Sequence, residues 1–454
     1  MVEIVPIETP SLGDRSYLAH DGTAALVVDP QRDIDRVIGI AEAAGVPITH
    51  VLETHIHNDY VSGGLALARA TGARYLVNAA DRVAFAREPV RDGDTVPVGS
   101  ALRVRAMATP GHTFTHLAYV LEDGGEPRAV FTGGSLLYGS TGRPDLLGPD
   151  HTDALAHAQY ASAHRLADDL PDSAAVLPTH GFGSFCAATQ AAADSSTIGR
   201  ERSANPALRL AEDEYVRSLL AGLDAWPAYY AHMGPANAAG PAEPDLSPPR
   251  RADAGELRRR LHAGEWVVDL RERTAFAEGH LPGAFSFGLD GSFATYLGWA
   301  IPWKTPVTLL GATPEQVAQA QRELVRIGID RPAAAATGRP TDWTGGRPTG
   351  RLRLATHREL AAVHGRPGIV LLDVRRRLEW TEAHVAGAHH IPFNDLLGRL
   401  DELPDGEVWV YCHTGYRSTI AASMLTARGR AAVSVDDEFP NAATAGVPME
   451  GELS

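Results

Sequence analysis

The first half of the chain alternates short apolar runs with stretches of helical periodicity. "TAALVVDP" at 23–30 reads as a buried strand. "DIDRVIGIAEAAG" at 33–45 spaces its apolar residues as a helix does, with Asp33 as its cap and Gly45 as its stop. "ITHVLETH" at 48–55 is a second strand, and a histidine-rich loop begins where it ends. Near the C-terminus, "GEVWVYCHTGYRST" at 406–419 is a β-rich run that empties into a short loop and then into the helix "TIAASMLTARG". Strands alternating with helices predict a multi-domain α/β chain. Residues 234–250, "GPANAAGPAEPDLSPPR", lack apolar periodicity and read as a linker, and 331–350 reads as a second break. The domains expected from these breaks are 1–235, 251–335 and 351–454.

The back half repeats itself. "VVDLRERTAFAEGHLPGAFSF" from Val267 aligns without a gap on "LLDVRRRLEWTEAHVAGAHHI" from Leu371. Asp269 falls on Asp373, Arg271 on Arg375, His280 on His384 and Gly283 on Gly387, a spacing of 104 residues. That is the period of a domain rather than of a solenoid, so two copies of one small α/β domain are expected.

Composition narrows the setting. The 454 residues are 44% hydrophobic and 21% charged, values of a globular chain long enough for two or three domains. A net charge of −15 gives no electrostatic case for nucleic acid or an anionic membrane, so any anion site must be built locally. Two cysteines, Cys186 and Cys412, exclude a disulfide framework and fit a reducing compartment. No basic segment leads into an apolar run at the N-terminus, and no apolar stretch is long enough to span a bilayer. A soluble cytoplasmic protein is expected.

Cys412 stands at a strand end facing a helix N-terminus, where the dipole and free backbone N–H groups stabilise a thiolate. In the loop Cys412-His413-Thr414-Gly415-Tyr416-Arg417, Gly415 lets the N–H groups converge and Arg417 adds positive charge. Such a cradle suits a nucleophile that accepts and passes on sulfur. A buried structural cysteine is the rival reading. A cysteine phosphatase is another, although its loop holds one more residue. The segment resembles a rhodanese domain, which implies that Cys412 cycles through a persulfide. Counting 104 residues back from Cys412 and Arg417 gives Thr308 and Thr313, neither nucleophile nor cation, so the first copy is expected to lack sulfurtransferase chemistry and to serve packing and orientation.

Four segments of the front domain carry metal-ligand chemistry: "THIHNDY" at 54–60, "TPGHTFTH" with His112 and His116, "FTGGSLLYGSTGRPDLLG" at 131–148 and "PTHGFGSFC" with His180. Together they resemble the metallo-β-lactamase fold, an αββα sandwich, and within it the persulfide dioxygenases fused to rhodanese domains. The family's H-x-H-x-D-H motif ends here in Tyr60, and its bridging aspartate is Gly134. Carried over from the dinuclear hydrolases, the first ligand set is His55, His57 and His112, all present. The second keeps Asp59 and His180 and loses two of its four ligands, so one metal is expected rather than two. The dioxygenase pattern of two histidines and a carboxylate maps to His55, His112 and Gly134, so the carboxylate is missing. His57 completing a three-histidine site, Asp59 swinging in, and loss of the centre are the three outcomes left open. Tyr60, His116 and Arg143 are expected to support the site, Arg143 with an equal reading as a surface pair with Asp145.

The resemblance implies one Fe(II) per chain, with Zn(II) as the alternative. It implies oxidation of a low-molecular-weight thiol persulfide (of glutathione, coenzyme A, mycothiol or bacillithiol) to sulfite, coupled to sulfur transfer involving thiosulfate or sulfite. It further implies a homo-oligomer. A sulfurtransferase with a degenerate metal domain and a zinc thioester hydrolase of the glyoxalase II kind are the competing functions.

Overall fold

A computed structural model describes residues 2–189 and 193–451. The chain divides into two compact units, Met1–Pro244 with Val325–Gly328, and Asp245–Leu324 with Ile329–Ser454.

The first unit is a sandwich of two six-stranded sheets. One runs in chain order through Glu3–Thr9, Asp14–His20, Ala25–Val28, Ile48–Leu52, Arg74–Asn78 and Glu88–Val90; the other through Thr95–Pro97, Leu102–Ala108, Leu117–Asp123, Glu126–Gly133, Ala175–Pro178 and Ser196–Thr197. Alternation along each strand sends every second side chain to the opposite face. Tyr17, Leu26, Val28 and Leu52 meet Val104, Tyr119, Leu121 and Phe131 between the sheets. Leu18, Val27 and Val51 turn outward against the helices Asp35–Ala44 and Gly64–Thr71. On the other side Val120 and Val130 pack on the 21-residue helix Pro149–Asp169. This is the αββα layering.

Gly45 closes the first helix in the left-handed conformation at φ 68°, as expected. Asp33 does not cap it: Ile34 holds the cap position, and the Asp33 carboxylate pairs instead with Arg36 at 2.7 Å. In the second sheet, Leu102–Ala108 ends beside the start of Leu117–Asp123, and Glu126–Gly133 ends beside Ala175–Pro178. Antiparallel and parallel pairing therefore bring the loops with His112, Gly134 and His180 to one edge of that sheet.

The second unit holds two parallel sheets. One orders Phe285–Ser286, Trp266–Asp269, Val307–Gly311 and Ala334–Thr337; the other orders Arg353–Ala355, Ala432–Val435, Glu407–Tyr411, Ile369–Asp373 and His389–His390. Both segments read as breaks contain structure. Tyr230–Ala239 is helical, with Pro235 inside it, and the 331–350 stretch contains the strand Ala334–Thr337 and the helix Pro340–Thr344. No helix among the described residues is long and apolar enough to cross a membrane.

Candidate active sites

The front site consists of three buried imidazoles whose outer nitrogens are each tied down. His112 Nδ1 lies 2.8 Å from the Arg143 carbonyl, which can only accept, so Nδ1 carries the hydrogen. His180 Nδ1 lies 2.9 Å from Asp14 Oδ1 and 3.1 Å from Asp59 Oδ2, and it is likewise the donor. His55 Nδ1 lies 2.9 Å from Thr54 Oγ1; that hydroxyl gives its own hydrogen to Asp29 Oδ2 at 2.7 Å, so it accepts from His55. In their neutral forms all three rings therefore present a bare lone pair at Nε2. Donor atoms of His55, His112 and His180 lie within 4.8 Å of one another. The Nε2 atoms of His55 and His180 are 3.5 Å apart, and His112 Nε2 is buried with no hydrogen-bond partner. Lone pairs facing each other in a dry site repel unless a cation sits between them. For a tetrahedral ion with metal–nitrogen bonds of about 2.1 Å the ligand atoms stand about 3.4 Å apart, close to the observed separation. The residues thus fit a single metal ion.

For His55 and His112 the electrostatics agree. Burial drives His55 below the usual imidazole range and His112 down to about 3, keeping both neutral. Burial opposes charge on His180 too, but Asp59 and Asp14 outweigh it and raise His180 to about 9, so without an ion its Nε2 carries a proton toward His55 Nε2 at 3.5 Å, the place a metal ion would take. Burial and the charge of Asp59 push Asp14 up in turn.

The other expected residues lie around this centre. His57 does not turn to it: its Nε2 faces Tyr60 Oη at 3.0 Å, Asp29 Oδ1 at 3.2 Å and Glu53 Oε2 at 3.3 Å, and its ring stacks on Tyr60 at 4.3 Å. Burial works against charge there, but Asp29 and Glu53 hold His57 well above its usual range, as a cation in an ion cluster rather than a ligand. Asp29, Glu53 and His57, and also His57, Asp59 and His180, bring donor atoms within 4.8 Å. Asp59 itself lies on the far side of His180. His116 accepts from the Gly134 N–H at 3.0 Å through Nε2 and stacks over His55 at 4.9 Å. A Cβ on Gly134 would lie 2.3 Å from His112 Cδ2, so the place of the family's carboxylate is filled by the His112 ring. Arg143 is buried, not a surface pair: besides orienting His112 through its carbonyl, its guanidinium holds Asp145 at 2.6 Å and the Asp224 carbonyl at 2.6 Å. Cys186 is buried, and desolvation raises its thiol well above the ordinary range.

The second site starts at the end of the strand Glu407–Tyr411. Cys412 Sγ is buried and accepts from the Gly415 N–H at 3.2 Å, with Ser418 Oγ at 3.6 Å. Gly415 has φ 101°, a left-handed conformation that favours glycine, and directly precedes the helix Tyr416–Ala427. Arg417 does not close the loop as a bare cation: its guanidinium makes two 2.7 Å bonds to Glu379. Beside the loop a cleft of about 480 Å³ is lined by Arg375, Arg376, Glu379, His413, Arg417 and Phe439.

Residues 14–180 match the metallo-beta-lactamase superfamily, and residues 253–338 and 356–439 each match the rhodanese-like domain. Among curated relatives the chain is 30% identical to the mitochondrial persulfide dioxygenase ETHE1 of Bos taurus, over 45% of this chain and 73% of that protein. This chain belongs to the metallo-β-lactamase superfamily and carries two rhodanese-like domains. It is also 32% identical to a hydroxyacylglutathione hydrolase of Polaromonas sp., over 35% of this chain and 57% of that relative, little more than half its length. The solved structure of a metallo-β-lactamase from Staphylococcus aureus subsp. aureus COL superposes with a TM-score of 0.66 at 27% identity, covering 74% of this chain and 99% of that one.

Within this metallo-β-lactamase domain Asp14 and Glu53 escape the motif reading, and so do Asp29 and Asn237. Asp29, at φ 50°, accepts from the Thr54 N–H at 2.7 Å and from the Thr54 and Thr179 hydroxyls, tying two histidine loops together. Its only signal is an aspartate directly after a buried strand. Asn237 donates to the carbonyls of His57 and Tyr60 at 2.9 and 2.8 Å and accepts from the Ser62 N–H at 2.8 Å. It lies in the segment read as a linker.

In the first rhodanese-like copy, strand pairing corrects the position opposite Cys412. Asp269 pairs with Leu310 as Asp373 pairs with Tyr411, so Gly311, not Thr308, occupies the nucleophile's position. The same register puts Gln316 where Arg417 stands.

Proposed function

We propose that the metallo-β-lactamase domain is a single-iron persulfide dioxygenase and that the Cys412 domain is its sulfurtransferase partner. Both domains are of enzyme families, and one observation carries the finer reading: the Nε2 atoms of His55, His112 and His180 face one point, while His57 of the first expected set is turned away and every member of the second except His180 is turned away or replaced. His57 is held in an ion cluster, Asp59 lies on His180 Nδ1, and Tyr60 and Gly134 stand where ligands would be. A dinuclear thioester hydrolase needs that second position. His55, His112 and His180 would hold the ion, and iron(II) there supplies binding and reduction of dioxygen, which Zn(II) does not.

The chain's own residues then have defined tasks. The Thr54 hydroxyl, the Arg143 carbonyl and the Asp14–Asp59 pair fix ring orientation and keep a lone pair at each Nε2. The reaction is RSSH + O₂ + H₂O → RSH + sulfite + 2 H⁺, in which the outer sulfur is oxidised and dioxygen reduced. At the second site the Cys412 thiolate attacks the sulfane sulfur of thiosulfate, the S–S bond breaks, and sulfite departs with its electron pair. A thiol then takes the sulfur from the Cys412 persulfide. With Arg417 neutralised by Glu379, the loop N–H groups carry most of the anion recognition.

The test is metal content of anaerobically purified protein, read beside O₂ uptake with glutathione persulfide. About one iron per chain with sulfite-forming O₂ uptake is expected. Bound zinc with turnover of an acyl-thiol would select the hydrolase. Absence of metal with intact sulfur transfer would select a sulfurtransferase alone.

A further inference from the structure

The three ring anchors differ in charge. His55 is anchored by a hydroxyl and His112 by a backbone carbonyl, both neutral, whereas His180 Nδ1 faces two carboxylates, Asp14 at 2.9 Å and Asp59 at 3.1 Å. Asp14 and Asp59 come from separate parts of the fold, the strand Asp14–His20 and the loop after Ile48–Leu52. Both are buried, and each keeps one oxygen, Asp14 Oδ2 and Asp59 Oδ1, without a hydrogen-bond partner. One N–H needs one acceptor. A second buried carboxylate crowded onto it calls for positive charge nearby, and the His57 cation supplies only part of it, its Nδ1 standing 4.0 Å from Asp59 Oδ1 and beyond hydrogen-bond reach. The anion normally bound directly to the metal in this fold has no room, because Gly134 lies against the His112 ring.

We propose that Asp14 and Asp59 act together as the displaced carboxylate of the metal centre, reaching the ion through the His180 imidazole. This rests on the three-histidine reading above. Both are positioning residues: they orient His180, make its ring a stronger donor, and offset the ion's charge one imidazole further out than a direct ligand would. A centre built this way keeps low net charge without a bound carboxylate, and its three ligands leave as many positions open for substrate as two histidines and a carboxylate would.

The experiment compares the full-length wild type with Asp14→Asn and Asp59→Asn, each near-isosteric and uncharged. Metal-free melting temperatures are measured beside Fe(II) and Zn(II) dissociation constants, by anaerobic competition with a chromophoric chelator. Each variant is expected to weaken metal binding by about tenfold or more, and the double variant further. The metal-free melting temperature should hold or rise for Asp14→Asn, because a crowded charge has gone, and fall for Asp59→Asn, which leaves the His180 and His57 cations short of a partner. Where one variant fails to fold, the other and the conservative Asp14→Glu, expected to restore part of the affinity, decide the matter. Unchanged dissociation constants in the variants, with the wild type binding metal, overturn this inference and leave the three-histidine site standing. A lower metal-free melting temperature with unchanged affinity also overturns it. A wild type that binds neither metal overturns both.

Discussion

In the first rhodanese-like copy Arg271 grips Asp269 at 2.9 and 2.6 Å and reaches the Gly279 carbonyl; in the second Arg375 grips Asp373 at 3.0 and 2.6 Å and reaches the Ala383 carbonyl. Phe276 stacks on His280 at 3.9 Å, and Trp380 on His384 at 3.5 Å. Each of these histidines meets, through Nδ1, the carbonyl four residues back at 2.9 Å. The frames match down to single hydrogen bonds. The loops do not: Gly311 to Gln316 replaces Cys412 to Arg417, and Gln316 turns its amide oxygen to the Ala312 N–H at 2.8 Å. The repeat-aligned partner of Glu379 is Ala275, so the counter-charge is missing along with the cation. A shared frame therefore reports folding, and sulfur chemistry has to be argued from the loop and its counter-ion.

The sharpest break of this comparison is Cys412→Ser. Sulfur transfer from thiosulfate should fall by roughly a thousand-fold or more, since the nucleophile is gone and the other copy offers none. Substantial residual transfer would give the first copy an activity its loop does not support. Next comes Glu379→Gln, which strands the buried Arg417 charge. A loss of about 3 kcal/mol is expected in a urea titration of the full chain. Burial pushes Glu379 up, but the paired Arg417 overrides this and holds it well below the ordinary carboxylate range. The pair's contribution is then complete above the unfolded value of about 4.3 and lost as pH falls through the folded one. Glu379→Gln should flatten the acid limb of the stability curve while leaving the neutral plateau uniformly lower. An unchanged acid limb would mean that other carboxylates control it.

The repeat, the strand-end cysteine and the histidine segments are legible in the sequence because each is carried by local spacing. The sites' internal arrangement is not. His57 is turned away by Glu53 and Tyr60, its neighbours in the same segment, and by Asp29, which comes from the preceding strand end and reaches it only in the folded sandwich. Asn237 hides in a Pro- and Ala-rich stretch without apolar periodicity, yet the start of that stretch, up to Ala239, is helical and clamps the histidine loop. The count of 104 residues fails at Cys412 because the spacing shortens between the aligned segment and the loop, which strand register reveals and sequence spacing does not.

The smallest effect tests what the first copy does for the second. Tyr416, inside the Cys412 loop, donates its hydroxyl to the Gly288 carbonyl of the first copy at 2.6 Å, and its ring stands 5.6 Å from Tyr296 of that copy. Both contacts fall within the second unit. Tyr416→Phe keeps the ring contact and leaves one carbonyl unsatisfied, a loss of about 1 kcal/mol in stability. If the first copy serves packing and orientation, the rate per Cys412 should change by no more than about twofold, because the donor to the Cys412 sulfur, the Gly415 N–H, is untouched. A rate lower by about tenfold at equal folded fraction would place the first copy's backbone inside the catalytic apparatus, since a packing contact of this size cannot carry that loss.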